Sequence, residues 1–482
     1  MPNIATQRKR LLELTTVCTL LTFAPVGLAQ TPDDASGSAP RRPWAKAMRE
    51  KLPPGEPGKE YTPVVVPNGT TAESKIVDGV RVFHLTAEPI TQEVAPGLTV
   101  DTWGYNGSVP GPVLELCEGE KVRIYVTNNL PAKTSVHWHG VLLPCGMDGV
   151  SGLTQPAIEP GETFLYEFYF PDAGTFMYHP HFDSMTQEGM GLTGMIVVHE
   201  RLPEQERPDR DFSIMLHEWK VAVDTRRPNT NEMTDFNVLT MNGKAMPGTE
   251  PLVAKLGDKV WIRYGNLSAM DHHPIHLHGY AFKIIGTDGG WAEDKSKLLP
   301  ETTVLVQVGS AKVIEFVADN PGDWLFHCHM THHTMNQMGH DFPNMVGVET
   351  KELDKKIREI IPGYMTMGTD GMMDMTRTGM PLPENSIPML GGKFQFGSTV
   401  MGGMANVLRV REGIETYEDP GPYEFPKGTV SLEATAEELE RDGITIEPFP
   451  HSEKTEAHDH GMGHGAMDDA AKDQQHMKHM GH

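Results

Sequence analysis

Cysteine is scarce in this chain: Cys18, Cys117, Cys145 and Cys328 are all there are among 482 residues. So few exclude a disulfide-stapled scaffold. Positive charge is short as well. Lys and Arg number 41 against 65 Asp and Glu, a formal net charge of −24 at pH 7. That balance argues against nucleic acid or an anionic membrane surface as the main partner. No apolar run beyond residue 29 is long enough to span a bilayer, so membrane insertion is not expected. The one apolar stretch, Leu11 to Leu28, follows Arg8-Lys9-Arg10 and runs out at Gly27-Leu28-Ala29, with Glu13 interrupting it. It reads as a secretory signal over residues 1–29, which predicts an exported protein, periplasmic or extracellular. Cys18 falls within that signal. Cys117 and Cys145 either pair in an oxidising compartment or stay as two separate buried thiols.

What the chain does have is turn residues and alternation. Gly 49 and Pro 38 beside 38% hydrophobic residues suit a turn-rich β protein. Val122, Ile124 and Val126 alternate with polar neighbours, as do Phe164, Tyr166, Phe168 and Phe170, and later Val260, Ile262 and Tyr264. Period two between turn residues marks half-buried strands of a sandwich. The chain also repeats itself. Asn106-Gly107, Gly119-Glu120-Lys121-Val122, His137-Trp138-His139-Gly140 and the run Gly174 to His181 make one pass. Asn242-Gly243, Gly257-Asp258-Lys259-Val260, His276-Leu277-His278-Gly279 and the run Gly322 to His329 make the second. Two similar all-β domains are expected, at 62–202 and 203–350. A mobile arm at 30–61 precedes them. A methionine-rich extension at 351–450 and a disordered His/Met-rich tail at 451–482 follow.

The chemistry lies in four His-x-His pairs: His137/His139, His179/His181, His276/His278 and His327/His329. Residues two apart on a strand share a face, and the residue between them takes the other. Each pair can therefore aim two imidazoles at one place. In the fourth pair the intervening residue is Cys328, which would face a second site. The segment from Cys328 reads Cys-x4-His-x4-Met, supplying Cys328, His333 and Met338, and His273 is the natural fourth member. Thiolate, two imidazoles and a thioether are the donors of a blue-copper site; zinc has no use for the methionine. The remaining eight histidines are too many for one metal ion and suit three copper ions. Three coppers plus the blue one store the four electrons that convert dioxygen to water.

These residues resemble the multicopper oxidases, a family that includes laccases, ascorbate oxidases and cuprous oxidases. The family's four motifs occur in order across roughly residues 80–350. The resemblance implies two cupredoxin-like Greek-key β-sandwich domains. It implies a type 1 copper at His273, Cys328, His333 and Met338, type 2 ligands His137 and His276, and type 3 ligands His139, His179, His181, His278, His327 and His329. That is four copper ions per chain. Asp148, in Met147-Asp148-Gly149, matches an acid that helps deliver protons to the cluster. Thr331 stands where relatives often carry a second acid, three residues after the cysteine. Pro180 takes the place a type 1 cysteine would have in the first domain, so a blue site is expected only in the second. Relatives with two domains form homotrimers in which each three-copper cluster lies between neighbouring subunits, and the same is expected here.

The implied reaction takes single electrons from a small reductant and passes four to O2. Methionines at 365, 367, 372, 373, 375, 380, 389, 401 and 404 suit soft Cu(I), which makes Cu(I) a candidate reductant, beside phenols, in a copper-tolerance role. Packing is the other use of those side chains. Two rival functions are a copper store or carrier, suggested by the tail, and a copper nitrite reductase. The latter needs only three imidazoles at its catalytic copper and a blue site in the first domain. His84, His199, His217, His272, His332 and His340 stand outside the pattern and read as structural or solvated, with His217 and His332 the best placed to support a ligand.

Overall fold

A computed structural model of the protein describes residues 51–222, 225–232, 234–337, 355–356, 359–360, 384–389 and 391–446. The alternating stretches are strands, as their pattern requires: Lys121–Asn128, Thr163–Tyr169 and Lys259–Asn266. Val122, Ile124 and Val126 are fully buried, while Arg123 and Tyr125 face outward.

Two sandwiches result. In the first, a five-stranded sheet holds Ser74–Val77, Val80–Ala95, Leu98–Tyr105, Lys121–Asn128 and Thr163–Tyr169. A four-stranded sheet runs Gly111–Cys117, Gly194–His199, Gly174–His179, His137–His139. Phe83, Leu85, Ile124 and Tyr166 from one sheet meet Leu116, Trp138, Tyr178 and Ile196 from the other. The second sandwich has a larger sheet around Arg210–Trp219, Lys259–Asn266 and Ser310–Val317. Its facing sheet runs Leu252–Lys255, Ala405–Arg411, Gly322–Cys328, His273–Leu277, Thr303–Val306. The repeat read from the sequence is thus structural. Both Asn-Gly pairs turn the chain with positive φ at each residue: 51° and 78° at Asn106-Gly107, 49° and 69° at Asn242-Gly243. That is the geometry a two-residue hairpin turn needs.

The boundaries differ from expectation in three places. Ala405–Arg411 lies between Leu252–Lys255 and Gly322–Cys328, so the second sandwich does not close at residue 350. Its Leu408 and Val410 are fully buried there, as the alternation in Ala-Asn-Val-Leu-Arg-Val-Arg allows. The end of the expected arm is fastened down rather than mobile. Gly55 N donates to Glu120 Oε1 (2.9 Å), Arg81 Nη2 donates to Gly55 O (3.0 Å), and Tyr61 stacks on His199 at 4.2 Å. Val64–Val65 then pairs with Arg210–Trp219, joining the second sandwich although it precedes the first.

The sandwiches meet through Val113, Met177, Met195 and Val197 against Met215 and Leu267. Inside that contact Arg263 grips Asp211 with two bonds of 2.8 Å and donates to Thr175 Oγ1 at 2.9 Å, all of it buried. Residues 421–446 belong to a separate compact unit; its helix Ala436–Asp442 starts at a capping box between Thr435 and Glu438. Cys117 is buried, Cys145 is exposed, and both thiols are free. Among the described residues, no helix is long and apolar enough to cross a membrane. The signal at 1–29, most of the methionine-rich stretch, the tail at 451–482 and His340 lie outside the described residues.

Candidate metal centres

The first four histidines come together by strand register. His137 pairs directly with His179 across two antiparallel strands. Trp138 between them is fully buried in the core, which leaves His137 and His139 sharing the opposite face. The ring of His137 lies 5.8 Å from His139, 5.4 Å from His179 and 5.7 Å from His181, centroid to centroid. Hydrogen bonds behind the rings fix the protons. His137 Nδ1 donates to Asp148 O (2.8 Å), His179 Nδ1 to Pro180 O (2.9 Å) and His139 Nε2 to Gly309 O (2.8 Å). A carbonyl can only accept, so the opposite nitrogen of each ring carries a lone pair. Two of those nitrogens, His139 Nδ1 and His179 Nε2, face each other at 3.3 Å. Lone pairs at that distance repel unless a cation sits between them, which is how a metal-ligand pair is arranged. Asp148 Oδ1 stands 3.4 Å from His137 Nδ1.

The second quartet repeats the plan. His276 pairs with His327 across the strands. The ring of His276 is 4.9 Å from His278, 5.9 Å from His327 and 5.7 Å from His329. His276 Nδ1 donates to Thr302 O (2.7 Å) and His327 Nδ1 to Cys328 O (2.8 Å). His327 Nε2 then faces His278 Nε2 at 3.3 Å. Among the described residues, the ring contacts run within each quartet and none joins the two. One chain therefore brings its eight histidines together as four and four.

Cys328 turns the other way. It pairs with Ile275 and is fully buried in the second sandwich. Its Sγ lies 3.4 Å from His333 Nδ1 and 3.8 Å from His273 Nδ1, and those nitrogens are 3.2 Å apart. Ser268 Oγ holds His273 Nε2 at 2.7 Å, and Asp271 Oδ2 stands 3.3 Å from His333 Nε2. Both Nδ1 atoms thus point inward beside the sulfur. The short 3-10 turn Thr331–Thr334 presents His333, and Met404 N donates to His333 O at 2.9 Å to fix it. Burial pushes the Cys328 thiol up to about 12 and the His273 imidazole down to about 3. A neutral imidazole is what a metal needs, and a thiolate is stable in such a place only beside a cation. Thiolate with two imidazoles suits copper. Met338 lies outside the described residues.

Four supporting residues carried no motif. Ser268 and Asp271 precede His273 and meet the outer nitrogens described above. Glu218, fully buried, accepts from Met270 N (2.9 Å) and Asp271 N (3.1 Å), and its Oε2 lies 3.9 Å from His273 Nε2. Burial and the Asp271 charge raise Glu218, while the hydrogen bond from His333 lowers Asp271. His217 was the sequence candidate in this stretch, yet its Nδ1 donates to Leu267 O (3.1 Å) and its neighbour is the residue under the site. The fourth, Glu188, lies 3.1 Å from His179 Nδ1. Adjacency to a histidine was the available signal for Glu218 and Asp271; none pointed to Glu188.

Two multicopper oxidase family models match the chain, over residues 86–203 and 222–347, together half its length. The chain belongs to the multicopper oxidases. Copper resistance protein A of Pseudomonas syringae pv. tomato is 44% identical over 232 residues, 38% of this chain and 38% of that protein. A protein of Kuenenia stuttgartiensis named "Probable nitrite reductase-hydroxylamine oxidoreductase fusion protein" is 31% identical over 308 residues, 61% of this chain and 34% of that one. The multicopper oxidase thus spans well under half the length of these curated relatives. Among solved structures, the multicopper oxidase mgLAC superposes with a TM-score of 0.52 at 28% identity, covering 70% of this chain and 87% of its own. Copper binding and the cupredoxin-like sandwich follow from the family, and the inward-facing nitrogens and sulfur fit that metal.

Proposed function

We propose that this chain is an exported copper oxidase that draws single electrons from a small reductant at the Cys328 site and hands four of them to O2, which leaves as water. The observation that carries the reading is the strand Gly322–Cys328. Its Cys328 sulfur enters the pocket with His273 and His333, while His327 faces His278 on the other side. One peptide segment thereby connects an electron-entry site to a histidine cluster. Copper, when bound, supplies the one-electron couple at each site. The chain would take four: one at His273, Cys328, His333 and Met338, and three among the eight paired histidines. Cys328 holds the entry metal and starts the covalent path, His327 and His329 end it, and Asp148 supplies protons beside His137.

The four-and-four division supports a homotrimer. A quartet from the first sandwich of one subunit, closed by the second-sandwich quartet of the next, completes a cluster, and a three-fold ring satisfies every pair. The reductant is Cu(I), a phenol, or both, and the name of the Pseudomonas relative supports a copper-tolerance role. The test is oxygen uptake with Cu(I) and with a phenol. Cys328→Ser should abolish the blue absorbance and both activities. Deleting 364–380, which leaves the buried Ile387 and Met404 and the bonds to the His333 loop in place, should lower Cu(I) oxidation more than phenol oxidation; equal losses reject Cu(I) as the favoured reductant. A monomer by light scattering with full activity rejects the trimer. Copper content separates the oxidase from a copper store, since removing the tail strips a store of most of its metal and leaves the oxidase four per chain. The position of Cys328 in the second sandwich weighs against a nitrite reductase.

A further inference from the structure

The two quartets differ in what stands behind them. In the second sandwich, the outer nitrogen of His276 meets Thr302 O and Thr303 Oγ1, and that of His327 meets Cys328 O. In the first, carboxylates stand behind two rings. Asp148 is 3.4 Å from His137 Nδ1, where the family resemblance expects an acid, and Glu188 Oε1 is 3.1 Å from His179 Nδ1.

Glu188 is firmly placed. It rides on the short helix Ser184–Gly189, whose Gln187 is buried. Thr134 Oγ1 donates to Gln187 Oε1, and Gln187 Nε2 donates to Lys133 O, each at 2.7 Å. At the helix end, Trp103 N donates to Met190 O at 3.0 Å. The helix is thereby tied both to the segment leading into His137 and to the strand Leu98–Tyr105. The Glu188 side chain is 23% exposed and His179 only 10%, so the contact is largely shielded from water.

We propose that Glu188 is a positioning residue for His179. Its charge sits against the Nδ1 side of the ring and keeps the proton there, in company with Pro180 O. That leaves Nε2, which faces His139 Nδ1, as the donor atom. The inference rests on the copper-oxidase reading above.

The experiment uses copper-loaded full chain, wild type against Glu188→Gln and Glu188→Ala, with a graded copper chelator. Copper per chain and the blue absorbance of the Cys328 site are followed together. Both variants should release cluster copper at a chelator concentration roughly 10- to 100-fold lower than wild type, with the blue band following the wild-type curve. A Glu188→Gln curve that overlays wild type overturns the proposal. Parallel loss of the blue band overturns it too, as does lower denaturant resistance of the copper-free variant, since the role would then be structural. Wild type that takes copper only at Cys328 removes the parent reading itself, a distinct outcome that the same titration reports.

Discussion

His217 offers a direct measure of how dry the second sandwich is near its metal pocket. The ring is fully buried, donates from Nδ1 to Leu267 O at 3.1 Å and stands edge-on to Trp219 at 5.0 Å. Burial pulls it from its ordinary value of 6.5 down to about 4. The sign follows. The unfolded chain takes up a proton at pH values where the folded chain refuses it, so the stabilising contribution is complete above 6.5 and is lost as pH falls through 4. With 1.36 kcal/mol for each pH unit, the loss between pH 7 and pH 4 is about 3 kcal/mol from this residue alone. The assay is denaturant unfolding of the copper-free chain at both pH values, for wild type and His217→Gln. The glutamine keeps a donor for Leu267 O and cannot titrate. All other histidines and carboxylates are common to both chains and cancel. Wild type should lose about 3 kcal/mol more than the variant over that range. Parallel pH profiles would refute the reasoning.

Ser268→Ala removes the 2.7 Å partner of His273 Nε2 in a closed pocket. The copper-free chain should lose about 1–3 kcal/mol by urea unfolding, and blue-site copper affinity should fall roughly 10- to 100-fold by chelator competition. Arg263→Met strands Asp211 between the sandwiches and should cost about 3–5 kcal/mol; adding Asp211→Leu should recover much of it, as thermal unfolding of the pair will report. Glu218 is raised, so its stabilising contribution is present below the ordinary carboxylate range and disappears as pH climbs through its folded value. Copper-free Glu218→Gln should therefore lose less stability than wild type on going from acid to neutral pH, measured by denaturant unfolding.

The clustering of these histidines and of Cys328 was legible because its constraints are local. Strand alternation puts His137 and His139 on one face and Trp138 on the other, and any sequence showing that spacing declares it. Cys328, His333 and His273 follow from the same rule plus one turn. What supports those donors was not legible. Ser268, Asp271 and Glu218 reach the site through a loop and a strand of the opposite sheet, and Glu188 through a helix of barely more than one turn. Sequence spacing fixes no such distances. The end of the second sandwich was hidden for another reason. Ala405–Arg411 is separated from its partner Gly322–Cys328 by a long stretch with no period of its own, so the alternation that would have announced a strand was read as part of the extension. The arm was judged by composition, and composition does not register the bonds that Gly55 makes with Glu120 and Arg81 or the stacking of Tyr61 on His199.

The strand Ala405–Arg411 also explains how the methionine-rich stretch is carried. Its later part, at 387–402, is fastened to the loop that bears His333. Asn336 N donates to Met389 O at 2.7 Å, Asn336 Nδ2 to Pro388 O at 3.1 Å, Ile387 N to Gln337 Oε1 at 2.8 Å, and Gly402 N to Thr334 O at 2.7 Å. Ile387 is thus back beside Gln337, and such closure makes the length of chain between them thermodynamically cheap, about 0.6 kcal/mol for each doubling. The insertion can therefore grow, shrink or be exchanged for one with other donor atoms while the β framework stays intact, which, on the proposed oxidase reading, makes this the natural place to retune the choice of reductant.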